Sequence, residues 1–386
     1  MKVIQINSTS SSLMVKDFEK DFFRNWNAQV GIKLKEMYPK LGIECWTIEK
    51  KYRKKAIKEY KNIIFKIFPS TFSVRPGMEI SLQMIKELNN EIKKAESENK
   101  KLIIHFHEYH SWNVYFCLAM IKKSKNVKIV CQHHGGRNPL SSLMKYKRLF
   151  LVLPAILLMQ ICENALFRKI DLFYPLGDSE TDYLNRVAPK SRKIFQTMGI
   201  DDIYFEKINR LSARKRLKLS ANRKYILFLG RIKTTKGIKE LIDAMEKIDA
   251  ELLIIGEGVD SEKYEMYAKE KGMKNVRFLG TKFGKDKLNY IASADCLVLP
   301  SYTEGAPVVL MEAIAMNTPV IASNVGGIPK MIENKREGLI INPYSTKEII
   351  NAANDILSWK KKDIRKYAEK YRWKRIIENT FKEYQK

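Results

Sequence analysis

Carboxylates are scarce in this sequence. Its 386 residues carry 71 Lys and Arg against 43 Asp and Glu, a net charge of +28. From Tyr109 to Cys162 there is neither Asp nor Glu, while the same window holds eight basic residues: Lys122, Lys123, Lys125, Lys128, Arg137, Lys145, Lys147 and Arg148. This excess favours an anionic partner, whether nucleic acid, a membrane surface or a phosphorylated substrate. Nucleic acid is set aside, because no binding module is recognisable and the aromatics do not interleave with the charge. Cysteine is also sparse. None of the five (Cys45, Cys117, Cys131, Cys162 and Cys296) is spaced C-x-x-C and all lie beside apolar residues, so they read as reduced, buried thiols of a cytosolic protein. No run reaches the roughly 18 apolar residues that a spanning helix requires, and the opening MKVIQINSTSSS has no secretory core. G-x-x-x-x-G-K-[ST] is absent, no G-x-G-x-x-G follows the first strand, and no D-x-D stands at a strand end. These absences argue against a P-loop enzyme, a dehydrogenase and a metal-clamped diphosphate, respectively.

What is present is a regular alternation. Short apolar runs predict strands at Lys2–Ile6, Ile43–Ile48, Asn62–Phe68, Lys101–His105, Lys128–Gln132 and Leu172–Pro175. They continue at Tyr225–Leu229, Glu251–Ile255, Val276–Leu279, Cys296–Pro300, Pro319–Ala322 and Gly338–Ile341. Helical stretches such as Met78–Ala95, Gly237–Ile248, Ser261–Lys271 and Val308–Met316 fall between them. Runs apolar on both faces, alternating with helices, predict doubly wound α/β architecture with parallel sheets. The length suits two such domains. They divide near Thr197–Asp202, giving 1–196 and 197–365, with 366–386 as a closing basic amphipathic helix. Facing each other, they would form a cleft at the carboxyl ends of both sheets, where ligands of such folds bind.

Two stretches carry candidate chemistry. YILFLGRIKTTKG (Tyr225–Gly237) is a strand, a turn at Gly230, a basic loop and a helix start. A helix N-terminus attracts phosphate. Arg231 offers a diphosphate two donors, with Lys236 as a compact second charge; the alternative is an ordinary loop with solvated charges. EGAPVVLMEA (Glu304–Ala313) places Glu304 in a loop after a buried strand and Glu312 about one turn into the next helix. Gly305 allows close backbone approach, Pro307 suits a helix start, and the N–H groups of Ala306, Val308 and Val309 suit phosphate oxygens. Each carboxylate can accept from a sugar diol; otherwise Glu304 complements the helix dipole and Glu312 is solvated.

The spacing E-x7-E at Glu304–Glu312 resembles the signature of the retaining glycosyltransferases of family 4, which have the GT-B fold. GRIKTTKG, LLIIGEG (Leu252–Gly258), VRFLGTKFGKDKLNYIASADCLVLPSYTEGAPVVLMEA, PVIASNVGGIPKMI (Pro319–Ile332) and YRWKRIIENTFKEY (Tyr371–Tyr384) are similar to the family in the same order. The likeness is strong over Ile194–Tyr384 and weak before it. It implies that Arg231 and Lys236 bind the diphosphate of a UDP- or GDP-sugar donor and that Glu312 holds the ribose. Glu304 and the backbone after it would face the transferred sugar, with Lys282 and Phe283 near the base. It also implies that the final helix crosses back onto the N-terminal domain, and that no cofactor or metal is permanently bound. A strand-end histidine contacts the sugar in the family; here that is His134, with His133 the alternative. The family's Gly pair after the first strand is missing, since the loop reads NSTSSS (Asn7–Ser12).

All five histidines fall within His105–His134. H-x-H-x-x-H at His105–His110 is similar to dinuclear zinc hydrolases, although Tyr109 stands where those enzymes carry Asp and no histidine follows His134. A metal-dependent hydrolase, or a non-catalytic sugar-nucleotide binding protein, is therefore the alternative reading. The expected activity is retaining transfer to a glycan or lipid-linked acceptor in surface polysaccharide or glycoconjugate assembly. The basic window ends in LFLVLPAILLMQIC (Leu149–Cys162), so 122–162 suits docking on an anionic cytoplasmic membrane face or, alternatively, a core helix behind a basic loop.

Overall fold

A computed structural model describes residues 1–10, 22–24, 26–73, 79–135, 161–333, 335–360 and 362–386. The chain forms two compact units, Met1–Gln196 with Ile377–Lys386, and Thr197–Ile376. The second unit extends to Ile376, where the sequence reading places its end at 365.

The first unit is built on strands β1 (Lys2–Ser10), β2 (Gly42–Ile48), β3 (Ala56–Tyr60), β4 (Ile63–Phe68), β7 (Leu102–His107), β8 (Val127–Gln132), β9 (Leu172–Tyr174) and β10 (Arg192–Lys193). A separate short ribbon pairs β5 (Phe72–Ser73) with β6 (Glu79–Ile80). The sheet order is β10-β9-β8-β7-β1-β2-β4-β3, parallel except for the β3–β4 hairpin. Sequence reading misses β3 because its AIKEY is largely polar, as an edge strand paired on one side can be. The first strand also runs past the expected Ile6, so Asn7–Ser10 of the NSTSSS segment is strand, with a register shift between Asn7 and Ser10.

Alternation sorts the side chains. Ile4, Ile6, Trp46, Leu102, Ile104, Phe106 and Ile129 pack on one face against Met84, Leu88 and Ile92 of helix α2 (Leu82–Ser97) and Val114 and Leu118 of α3 (Trp112–Met120). Helix α1 (Trp26–Met37) packs against β1, β2 and β7 and lies close where Gly31 meets Cys45. A Cβ at Gly31 would sit 2.6 Å from the Cys45 Sγ. Helix α4 (Asp178–Val187) follows β9. Cys45, Cys117, Cys131 and Cys296 are buried, whereas Cys162, expected buried, is exposed.

The second unit holds β11 (Tyr225–Leu229), β12 (Glu251–Ile255), β13 (Val276–Phe278), β14 (Cys296–Leu299), β15 (Val320–Ser323) and β16 (Gly338–Ile341). The order is β13-β12-β11-β14-β15-β16, parallel throughout. Its helices are α5 (Arg210–Arg216), α6 (Ile238–Ala244), α7 (Ser261–Glu270), α8 (Gly284–Ser293), α9 (Val308–Ala315), α10 (Ile328–Met331) and α11 (Thr346–Ser358). The closing segment is not one helix. A 3-10 turn, Arg365–Tyr371, precedes helix α12 (Trp373–Gln385). At the amino ends of the strands Asp295 accepts from Arg210 Nη1 (2.7 Å), Arg214 Nη2 (2.8 Å) and Tyr225 N (2.8 Å).

Arg214 is buried, so removing its carboxylate strands a cation. Asp295→Ala is expected to destabilise the protein by about 3–5 kcal/mol, read as a lower urea midpoint at unchanged m-value. Glu98→Ala, an exposed carboxylate paired with Lys100, serves as the near-neutral control.

Candidate functional site

In the second sheet the winding direction reverses between β11 and β14, and ligands of such folds bind outside the carboxyl ends at that point. The two loops there carry the residues singled out from the sequence. After β11 come Gly230, Arg231 and a 3-10 turn, Thr234–Lys236, closed by Gly237 at φ +66°. After β14 come Ser301–Pro307, then α9. The loops are tied together: Tyr302 N donates to Thr235 O at 2.8 Å, and Lys236 Nζ to Glu304 Oε1 at 2.5 Å. Ser301 Oγ donates to the same carboxylate oxygen at 2.7 Å. Arg231 is exposed and has no hydrogen-bonding or ionic partner among the described residues.

Glu312 lies one turn into α9, nearly buried, with Lys287 Nζ of α8 2.7 Å from its Oε2 and 2.8 Å from its Oε1. Lys287 also donates to Tyr204 OH at 2.9 Å. Burial and the Glu312 carboxylate raise the Tyr204 phenol pKa, so it stays protonated. Each glutamate of the pair thus holds a different lysine. Lys287 and Tyr204 escape sequence reading, since nothing in their local pattern marks them. The N–H groups of Ala306, Val308 and Val309 have no backbone acceptor among the described residues. Lys282 is half-buried and Phe283 is 79% exposed, on the turn before α8.

Glycines let these loops touch. A Cβ at Gly326 (φ +57°) would lie 2.1 Å from Glu304 O, and one at Gly256 (φ +138°) 1.9 Å from Gly230 O. A cavity of about 320 Å³ lies elsewhere, at the amino ends of the strands, beside Lys224, Asp295, Lys335 and Trp359, and none of the candidate site residues borders it.

The first unit gathers the histidines at and beyond the carboxyl ends of β7 and β8. Gln5 Nε2 donates to Tyr384 OH at 3.0 Å, and Gln5 Oε1 lies 2.7 Å from His107 Nε2. His107 Nδ1 lies 2.9 Å from His134 Nε2, and His105 Nδ1 2.6 Å from Tyr384 OH. Burial drives the His105 pKa down to about 3. Burial, then neighbouring histidines, lowers those of His107 and His134. His133 Nδ1 lies 2.7 Å from Glu180 Oε1, and burial pushes the Glu180 carboxyl up to about 8. Glu108, at φ +73°, accepts from His110 N (3.2 Å) and His134 N (3.4 Å), tying the two loops together. His110 instead faces Glu163 at 3.5 Å. Among the described residues no three His, Cys, Asp or Glu are arranged to hold a metal ion.

Of the basic window, Lys123 pairs with Asp171 and Lys128 donates to Glu383 O. Lys122 and Lys125 are exposed. Arg137, Lys145, Lys147, Arg148 and 149–160 lie outside the described residues. No described helix is long and apolar enough to cross a membrane.

Residues 209–372 match the family model for glycosyl transferases group 1. A glycosyltransferase of Methanocaldococcus jannaschii is 34% identical over 194 residues, 46% of this chain and 48% of that protein. A D-inositol 3-phosphate glycosyltransferase of Corynebacterium aurimucosum is 28% identical over 215 residues, 51% of each. The chain thus spans about half the length of the curated relatives it matches. Its fold is GT-B. It superposes over its whole length on sucrose-phosphate synthase of Thermosynechococcus elongatus (TM-score 0.70, 19% identity, 98% of that chain covered). It also superposes on the Anabaena protein HepE in complex with UDP (TM-score 0.68, 16% identity, all of both chains covered).

Two outcomes test these arrangements. Gly326→Ala is expected to lower the Tm well beyond Gly272→Ala. Gly272 shares a positive φ, but a Cβ added there would have nothing within 4 Å, so it carries only a conformational cost of about 1 kcal/mol. The histidines give an acid-side signature. A histidine with a depressed folded pKa contributes stability above its unfolded value near 6.5 that is lost as pH falls towards the folded value, about 3 for His105. Each such ring removes up to about 1.4 kcal/mol per pH unit in that window. Chemical denaturation from pH 7 to 4.5 should therefore show falling stability, with a shallower slope in His105→Asn.

Proposed function

We propose that the protein is a retaining glycosyltransferase that moves a sugar from a UDP- or GDP-sugar to a glycan or lipid-linked acceptor. The observation that carries this reading is the Lys236–Glu304 pair across the two loops of the reversal point, with Glu312 and Lys287 a helical turn beyond. In this reading Lys236 and Arg231 take the diphosphate, joined by the N–H groups of Ala306, Val308 and Val309. Glu312 accepts from the ribose hydroxyls and Glu304 from the sugar. Lys282 and Phe283 flank the base.

Breaking the bond between sugar and diphosphate leaves positive charge on the sugar and negative charge on the diphosphate. Fixed cations and backbone dipoles aimed at the departing phosphate lower that barrier. The leaving oxygen then receives the acceptor hydroxyl's proton on the same face, which preserves configuration. The Lys236–Glu304 pair keeps some solvent contact, at 23% and 9% side-chain exposure. A diphosphate can therefore reach Lys236 and take it over from Glu304, which keeps the Ser301 hydroxyl as a partner. His134 keeps the role that the family resemblance gives it, a contact with the sugar. The basic stretch 122–162 docks the enzyme on an anionic cytoplasmic leaflet, where the lipid-linked acceptor resides. Of its described basic residues Lys122, Lys123 and Lys125 are exposed, Lys123 being paired with Asp171.

A thermal-shift screen of UDP- and GDP-sugars identifies the donor, and donor hydrolysis follows turnover. Lys236→Ala should weaken binding of the bare nucleoside diphosphate by roughly 1.5–3 kcal/mol. Glu312→Ala should also weaken it. Glu304→Ala should leave it intact or slightly tighter, because Lys236 loses its internal partner, while turnover falls. Equal losses of diphosphate affinity at both glutamates would sink this division of roles. Activity should persist in EDTA; loss restored by zinc would favour the hydrolase.

A further inference from the structure

The cavity at the amino ends of the second unit's strands has no part in the proposed reaction. At about 320 Å³ it has the size of a small-molecule site. Six basic residues line it: Arg210, Lys224, Lys335, Arg336, Lys360 and Lys362. They make up nearly half of the lining, whereas fewer than one residue in five along the whole chain is basic. A generally basic composition therefore does not account for the cluster. Among the described residues Asp295 is the one acidic member of the lining, and it already accepts from Arg210, Arg214 and Tyr225 N.

Two of these cations have a structural role. Arg210 pairs with Asp295, and Lys224 Nζ donates to Leu357 O at 3.4 Å, at the carboxyl end of α11, where a positive charge complements the helix. Lys335, Lys360 and Lys362 are exposed and have no ionic or hydrogen-bonding partner among the described residues. The segment that carries the last two is nonetheless anchored. Ile364 N donates to Asn317 Oδ1 at 2.9 Å, and Trp359 Nε1 to Asp355 Oδ1 at 3.0 Å. Like charges gathered round one cavity repel, and an anion with several acceptor oxygens replaces that repulsion with charge-assisted hydrogen bonds. The rest of the wall is apolar: Ile356 and Ile364 are buried, Pro319 and Trp359 half-buried. An inorganic anion would leave that side of the cavity uncovered.

We infer that this cavity binds a phosphate ester, with its phosphate held by Lys335, Lys360 and Lys362 and its ring or short hydrocarbon body against Trp359 and Pro319. The site is distinct from the candidate donor site. Strands β11 and β14, of five and four residues, separate their amino and carboxyl ends by roughly 15 Å at about 3.3 Å per residue. A ligand of this size at the amino ends does not reach Arg231, Lys236 or the two glutamates. The same chemistry is offered by a free phosphate ester and by the headgroup of an anionic lipid.

Calorimetric titration of the full chain with phenyl phosphate at low ionic strength tests the site without reference to turnover. The protein should bind the ester, and the double substitution Lys335→Gln with Lys362→Gln should weaken binding by about tenfold or more. Lys335→Arg with Lys362→Arg, which keeps the charge, should retain most of the affinity. Lys236→Ala, at the donor site, should leave it unchanged. No binding by the unmodified protein, or affinity lost in Lys236→Ala and kept in the double glutamine variant, overturns the proposal. Both lysines are exposed and unpartnered, so the glutamine variant should fold, and an unaltered urea midpoint checks that it does. Inorganic phosphate should bind more weakly than phenyl phosphate, and Trp359→Leu should abolish the difference; equal affinities in the unmodified protein overturn the role of the apolar wall. Sedimentation with vesicles of phosphatidic acid in phosphatidylcholine separates the two sources. Vesicle binding lost together with phenyl phosphate binding in the double glutamine variant assigns a lipid headgroup. Vesicle binding absent from the start, or kept while phenyl phosphate binding is lost, assigns a soluble ester. Either result upholds the site.

Discussion

A polar side chain on a strand covered on both faces cannot turn to water for a partner. It must find one inside the protein or cost its full desolvation. That constraint organises the first unit. β1 and β7 are central strands, and on one of their faces they carry Gln5, His105 and His107 among apolar neighbours. Gln5 and His107 find partners in one another, in His134 and in Tyr384, which arrives from the far end of the chain, while His105 is held through its Nδ1 alone and its buried Nε2 has no partner among the described residues. Further links hold that end: Lys101 Nζ donates to Gln385 O, Lys128 Nζ to Glu383 O, and Arg192 pairs with the Glu383 carboxylate. The donations to carbonyls supply partners to groups that a helix C-terminus leaves unpaired.

The second unit works under a looser rule. The charged pairs of its candidate site stand on loops and helix turns at the carboxyl ends of the strands, where some solvent contact remains, unlike the buried Asp295–Arg214 pair at the amino ends. Lys236 with Glu304 and Lys287 with Glu312 are satisfied without a ligand, yet neither pair is sealed in. An anion can displace one partner without leaving a charge stranded in an apolar interior. Rigidity here comes from the backbone, through glycines at Gly237, Gly256 and Gly326 that let successive loops lie against each other. A stiff neutral network in one unit and exchangeable ion pairs in the other are different solutions to holding polar groups in place.

Much of the fold is legible in the sequence because fully buried parallel strands are continuous apolar runs. YILFL, ELLII and CLVL need no alternation to be recognised. AIKEY is not legible in this way, since an edge strand has a polar face and resembles a loop. The closing segment reads as one helix because its apolar spacing continues through Tyr371, but the chain breaks at Arg372. At the candidate site, Lys236 and Glu304 stand out because each lies beside glycines that mark a strand-to-helix turn. Their mutual contact does not, being a pairing across 68 positions. Lys287, Tyr204, Gln5 and Tyr384 carry no local mark. Their roles arise from partners 25 to 379 positions away.

The dependence of Gln5 and His105 on Tyr384 also bears on the order in which the protein can be made. Emerging from the ribosome amino end first, the chain exposes β1 and β7 long before α12 exists. Residues 197–376 must be synthesised in between. The later unit, whose strands are contiguous in sequence, can complete its own sheet first. The earlier one waits with buried-type polar groups uncovered, and closing so long a loop slows that final step. Cells would meet a nascent protein whose second half is native while its first half still has an open face, and that open face is where a chaperone would bind.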